Sequence, residues 1–275
     1  FLEIETPVRL PAPALELHID AEPAGNWFLR TSPELHMKRL LSAGYPRLYQ
    51  VGPCFRLGER GARHHPEYTM LEWYRANADY RAILDDARSL LGYVANALTG
   101  GGKLCYRGNS IDLDAPWAIV TVRDAFRRWA GWDPVAAYDA ERFEGDLVNK
   151  VEPNLPGDRP AVLIDYPAAA AALARLTPAD PAVAERWELY IGGLELANAY
   201  SELNDPVEQR RRFEECASQR RALGKPVYPI DAHFLAAIEA GMPPAGGIAL
   251  GIDRLAMLFA GVANLDDLLP FRTDT

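Results

Sequence analysis

Residues Arg186 to Asp205, RWELYIGGLELANAYSELND, admit few folds. β-Branched and aromatic residues flank Gly192-Gly193, and a two-residue Gly-Gly connection between such runs closes a tight hairpin. Pairing Ile191 with Leu194 across that turn sets Tyr190 opposite Glu195 and Leu189 opposite Leu196. Glu188 and Glu195 then share one face as diagonal neighbours roughly 7 Å apart. Two carboxylates that close repel unless a cation lies between them, and hard cations such as Mg²⁺ take oxygen ligands and usually arrive carrying phosphates. A solvated sheet face whose acids need no partner is the plainer reading of the hairpin taken alone.

The rest of the chain weighs on that choice. The opening ETPVRLPAPA is extended, because Pro7, Pro11 and Pro13 exclude helix. Trp27 to Arg30 reads as a strand running into TSPE, a helix start in which Ser32 caps, Pro33 suits the first turn and Glu34 favours the positive end of the dipole. Gly44 stops that helix. RLYQVGPCFR is a strand, and LGERGARHHP is a loop bringing Arg56, Arg60, Arg63, His64 and His65 over whatever the neighbouring face holds, a setting that attracts a triphosphate. EYTMLEWYRA is the next strand, and period-two alternation puts Tyr68, Met70, Glu72 and Tyr74 on one side. A glutamate and two tyrosines on one face of a buried-looking strand are unusual for pure core.

Residues 79–98 read as an amphipathic helix, and 103 to about 160 as a helical insertion with segments near 121–130 and 141–149. A strand over 161–165, helices over 207–222 and 231–240, and a final strand over 246–252 complete the order. Ala249 and Gly251 are small enough to let a ligand approach the last strand, and Arg254, in the first turn of the helix that follows, can hold a phosphate bidentately.

At 275 residues with 49% hydrophobic content the chain suffices for one large core. It contains neither an apolar run long enough to span a membrane nor a secretory signal, although it begins at Phe1 rather than methionine. Its three cysteines form no CxxC or Cys/His cluster, which fits a reducing cytoplasm. A net charge of −9 argues against a broad nucleic-acid surface, and QRRRF at 209–213, set among glutamates, reads as a solvated helix face with internal ion pairs.

FLEIETP, FR followed by HHPEYTMLEWY, and GIALGIDRLAMLF resemble the three motifs of the class II aminoacyl-tRNA synthetase catalytic domain. TSPELHMKRLL, PEYTMLEWY and ELANAYSELND are similar to its lysine branch. The resemblance covers nearly the whole chain and implies an α+β fold, a six- or seven-stranded antiparallel sheet flanked by helices in one domain spanning 1–275, usually dimeric through the first motif. It implies that Arg56 holds the α-phosphate and the substrate carboxylate, that Tyr68 stacks on adenine, that Arg254 meets the γ-phosphate, and that Glu188 and Glu195 bind Mg²⁺ with ATP. Glu59, His64 and Gly251 join the nucleotide set. Glu34 and Glu72 match positions receiving the amino acid's backbone-side amine, and Tyr74, Asn198, Tyr200 and Glu202 match those around a lysine side chain. Strict alternation would put Asn198, Tyr200 and Glu202 on the face opposite Glu195, so a bulge or sharp twist is expected near Ala197.

Departures from the pattern choose among relatives. The 275 residues leave no room for an N-terminal anticodon-binding domain, which a segment upstream of Phe1 could hold, and Ala249 stands where lysyl-tRNA synthetases usually have glycine, disfavouring an ordinary α-amino acid. Both features resemble the elongation factor P lysyl-lysine ligase family, which activates (R)-β-lysine and transfers it to a lysine of that factor, with tRNA not a partner. The second motif, usually FRNE, here reads FRLG, with Gly58 in place of the glutamate and Glu59 one step later. A truncated lysyl-tRNA synthetase and a catalytically silent regulatory paralogue are the alternatives.

Overall fold

The structure, a computed structural model, describes residues 1–271. The chain divides into two compact units, Phe1–Ala78 with Glu202–Asp253, and Asp79–Ser201 with the residues from Arg254 onward.

The first leg of unit one opens with four short strands, β1 (Leu2–Glu3), β2 (Arg9–Leu10), β3 (Pro23–Ala24) and β4 (Trp27–Leu29). Strand β4 lies between β2 and β3 in a small antiparallel sheet. Helix α1 (Glu34–Ser42) begins just after Pro33. Ser32 does not cap it in the usual way. Its hydroxyl accepts the Glu34 N–H and donates to Glu72, so the serine ties the helix start to the sheet. Gly44 closes the turn after the helix with φ +93°, a conformation costly for other residues. Strands β5 (Arg47–Phe55) and β6 (Glu67–Ala76) pair antiparallel from Arg47↔Arg75 to Phe55↔Glu67. Tyr68, Met70, Glu72 and Tyr74 therefore share their face with Cys54, Gly52, Gln50 and Leu48.

Unit two starts at α2 (Tyr80–Thr99), capped by the Asp79 carboxylate, which accepts the Arg81 and Ala82 N–H groups, and ended by left-handed Gly100. The stretch expected as a helical insertion does hold α3 (Val122–Trp129) and α4 (Ala140–Asp146). It also holds the hairpin β7 (Lys103–Tyr106) and β8 (Asn109–Asp112), and β9 (Ala118–Thr121), which pairs parallel with β10 (Ala161–Pro167). AIVT is too short to register as a strand by periodicity; pairing with β10 gives it its structure. Strand β10 then meets β12 (Asp180–Ile191), which carries β11 (Leu176–Thr177) on one flank and β13 (Leu194–Ser201) through the Gly192-Gly193 turn. The core of this unit stacks Phe126 on Phe143 at 4.8 Å between centroids, beside Val122, Leu163 and Tyr166.

The chain returns to unit one through α5 (Pro206–Ala222), capped by Asp205, and α6 (Ala232–Glu239), capped by Asp231. Arg211 and Arg212 pair with Glu208 on α5, and Arg211 also with Glu215, the internal ion pairs expected; Gln209 and Phe213 of the same run are buried rather than solvated, because they lie on the face of α5 turned to the core. Strand β14 (Ala245–Gly251) runs antiparallel to β6, and α7 (Ile252–Ala260) follows it. The α+β class is as expected, with one refinement: β1 and β9 each run parallel to their neighbour rather than antiparallel.

Candidate active site

In unit one the side chains that share a face across β5, β6 and β14 fall into cross-strand rows. Gln50, Glu72 and Ala249 form one row, and Leu48, Tyr74 and Gly247 the next. Glu72 is buried, and its carboxylate accepts from the Ser32 hydroxyl at 2.6 Å and the Tyr74 phenol at 2.8 Å. Burial and then repulsion by Glu34 push its pKa up to about 7, against the pull of those two hydrogen bonds. One turn after Glu34 on α1 comes Lys38, whose wholly buried ammonium meets Glu34 and Glu202 at 2.5 Å each. Burial works against that ammonium, but the Glu202 and Glu34 carboxylates outweigh it and hold it protonated. Glu202, anchored by its own N–H on the Ala245 carbonyl, is itself held above the usual carboxylate range by burial.

Gly247 leaves the space these groups fill. A methyl there would collide with a Glu202 carboxylate oxygen and with the Tyr74 ring. The cluster therefore contains three carboxylates, Glu34, Glu72 and Glu202, against the one ammonium of Lys38. The raised carboxyl pKa values are the physical signature of that imbalance, since a buried excess of negative charge is relieved by protons until a cation replaces them.

Along the same unit, Arg56 lies over the Tyr68 ring at 5.0 Å and reaches Glu59 at 3.5 Å. The Tyr68 phenol donates to the Thr31 carbonyl at 2.7 Å. The Arg56–Pro66 loop is folded by a Gly61–His64 turn and by the Arg56 N–H on the Pro66 carbonyl. Gly58 has φ +76°, so a glutamate there would be strained; Glu59 is the carboxylate beside Arg56. Gly251 lies opposite Met70 on β6.

In unit two the hairpin pairs Ile191 with Leu194 and Tyr190 with Glu195 as expected. It then departs from the expected register: Leu189 faces Ala197, not Leu196, so Leu196 is the extra residue of a bulge. The bulge sets Glu188 opposite Asn198 and Arg186 opposite Tyr200. Arg186, Glu188, Tyr190, Glu195, Asn198 and Tyr200 consequently share one face. Glu188 is not a bare ligand. It accepts from Tyr166 and Tyr190 at 2.6 Å each and pairs with Arg186 at 2.5 Å, while the Arg186 guanidinium lies over the Tyr166 ring at 4.4 Å. The Arg254 guanidinium donates to the Glu195 carbonyl at 2.7 Å and approaches its carboxylate at 3.4 Å.

Oxygen donors on that face fit a hard cation: the partly exposed Glu195 carboxylate, the buried Asn198 Oδ1 with no hydrogen-bond partner among the described residues, and Glu188 once Arg186 yields it. No group of three or more His, Cys, Asp or Glu side chains is arranged for a metal among the described residues. Sequence reasoning missed Ser32, Lys38, Gln50, Tyr166, Arg186 and Gly247. For Lys38 the i, i+4 spacing from Glu34 was the available signal, and for Arg186 its place two residues before Glu188.

A family model described as class II tRNA synthetases for D, K and N matches residues 1–275. The chain belongs to that family. A lysine–tRNA ligase of Moorella thermoacetica is 38% identical over 99% of this chain and 61% of its own length. An elongation factor P (R)-β-lysine ligase of Erwinia tasmaniensis is 37% identical over 99% of this chain and 89% of its length, and one of Proteus mirabilis is 37% identical over 98% and 88%. The chain thus spans less than two thirds of the Moorella ligase and most of the two elongation factor P ligases.

Proposed function

We propose that the chain is an ATP-dependent ligase that activates a lysine-type diamino acid, (R)-β-lysine, as its adenylate and passes it to a lysine side chain of elongation factor P. The observation that carries the reading is the charge of the unit-one cluster. Three carboxylates, Glu72 and Glu202 buried and Glu34 partly so, against one ammonium leave an excess of negative charge, which the two ammonium groups of a diamino acid would offset. Ala249 beside Glu72 supports the β-isomer, because its methyl crowds one side of the carboxylate that receives the backbone-side amine.

The substrate carboxylate attacks the α-phosphorus, pyrophosphate leaves, and the ε-amine of the acceptor lysine then attacks the adenylate carbonyl with loss of AMP. The carboxylate is already ionised, so catalysis is positioning and neutralisation of phosphate charge. In unit one Arg56 is assigned to the α-phosphate and substrate carboxylate, Glu59, His64, Tyr68 and Gly251 to the nucleotide, and Glu34, Glu72, Tyr74 and Glu202 to the amino acid. In unit two Glu188 and Glu195 are assigned to Mg²⁺, which neutralises phosphate charge when bound, Arg254 to the γ-phosphate, and Asn198 and Tyr200 to the substrate side chain. A homodimer, a cytoplasmic setting and one catalytic domain over 1–275 belong to the same reading. No helix among the described residues is long and apolar enough to cross a membrane, and all three cysteines are free.

The test is substrate-dependent ATP–pyrophosphate exchange with (R)-β-lysine and α-lysine at matched concentrations, followed by transfer to elongation factor P or to tRNA. Exchange favouring the β-isomer and transfer to the protein are expected. Preference for α-lysine and for tRNA would move the chain to the function named for its Moorella relative.

A pH dependence follows from Glu72. Its folded pKa lies above the unfolded value, so in the ligand-free protein its contribution to stability is lost as pH rises from the ordinary carboxylate range through about 7. Binding an ammonium requires the ionised form. Thermal stabilisation by the diamino acid is therefore expected to be larger at about pH 8 than at about pH 6, and titration calorimetry in buffers of different ionisation enthalpy should show proton release near neutrality.

A further inference from the structure

We propose that Gln50 is a specificity-determining residue of the amino-acid pocket: its side-chain carbonyl accepts an N–H from the substrate's backbone-side ammonium, and together with Ala249 it places that ammonium along the Glu72 row. This rests on the diamino-acid reading above.

Gln50 stands in the middle of β5, is 3% exposed, and its Oε1 has no hydrogen-bond partner among the described residues. Buried side-chain carbonyls nearly always have a partner, so an orphan on the strand beside Glu72 points to a donor that arrives with the ligand. The backbone ladder fixes which part of the ligand. Gln50 is the direct cross-strand partner of Glu72, and Ala249 is the partner of Glu72 on the other side, so the three occupy one row at about 5 Å intervals. An ammonium at Glu72 has three N–H groups and needs three acceptors. Glu34 and Glu72 supply carboxylates, and Gln50 Oε1, with no partner among the described residues, is a further acceptor next to Glu72, whose Ser32 and Tyr74 neighbours already donate to it. The Ala249 methyl closes the row at the opposite end. Crowding on one side and an unmet acceptor on the other both displace the ammonium toward β5, which is the displacement that distinguishes a β-amine from an α-amine relative to a fixed carboxylate and a fixed side-chain ammonium.

The experiment compares wild type, Gln50→Leu and Gln50→Glu in ATP–pyrophosphate exchange with each isomer, with ATP KM and melting temperature measured alongside. Gln50→Leu should raise KM for (R)-β-lysine roughly tenfold or more while KM for α-lysine and for ATP and the melting temperature stay within about twofold or a few degrees. Gln50→Glu, which keeps an acceptor, should retain β-lysine activation. Equal loss for both isomers, or loss in Gln50→Glu as severe as in Gln50→Leu, would overturn the assignment while leaving the diamino-acid reading standing. A wild-type protein that activates neither isomer would overturn both.

Discussion

Replacing Lys38 by methionine is expected to destabilise the protein by about 3–5 kcal/mol and to abolish amino-acid activation. Methionine keeps most of the stem volume, so the loss is electrostatic. The wholly buried ammonium is shared by Glu34 and Glu202, and removing one partner of a buried ion pair leaves charges with no solvent to receive them. The variant should also show its cause through pH. Glu202 is already held above the ordinary carboxylate range, and losing Lys38 removes the cation that works against that shift. An acid whose folded pKa is raised costs stability above its unfolded pKa and nothing below it. The deficit against wild type should therefore be widest near pH 8 and shrink toward about pH 5, read as denaturation midpoints across that range. A deficit independent of pH would mean that Lys38 acts by packing alone.

Gly247→Ala should remove amino-acid activation by roughly a hundredfold while ATP still binds, because a displacement of even about 1 Å in a positioned substrate can have that effect. The added methyl would enter space held by the Glu202 carboxylate and the Tyr74 ring, and Tyr74 in turn donates to Glu72. Glu202 would be displaced directly and Glu72 through Tyr74. Overpacking of this kind also costs about 1–3 kcal/mol of stability. Nucleotide binding by fluorescence or calorimetry, beside pyrophosphate exchange, separates the two effects: a variant that loses ATP binding equally has lost its fold locally, not its pocket.

Which residues of the candidate site share a face is legible in the residue order because β-strand parity is a local property. Alternation along EYTMLEWYRA put Glu72 and Tyr74 on one face, and the conflict between the hairpin's alternation and its polar residues announced a bulge, found at Leu196. Helix starts follow the same local logic: Asp79, Asp205 and Asp231 cap α2, α5 and α6, each acting within three residues of where it stands. What stayed hidden depends on partners far along the chain. Lys38 looks like an ordinary helix lysine until Glu202, more than 160 positions later, closes on it. Gln50 gains meaning only once β5 is registered against β6. β9 is four residues whose pairing partner lies about forty residues on. Glu188 looked like an open metal ligand because nothing in RWELY says that Arg186, two residues earlier on the same face, will fold onto its carboxylate.

The bulge at Leu196 means that ladder register, rather than a count of residues from the turn, decides which way the hairpin's side chains face. Glu195 stands before it and Asn198 and Tyr200 after it, yet all three point the same way. Deleting Leu196 would leave a regular ladder in which Asn198 still faces Glu188 and Tyr200 still faces Arg186, whereas straightening the strand with Leu196 kept would turn both to the α2 side. A related hairpin one residue shorter at this point would therefore present the same face, and a gap opened at Leu196 aligns equivalent positions, whereas one opened elsewhere in the strand sets opposite faces against each other.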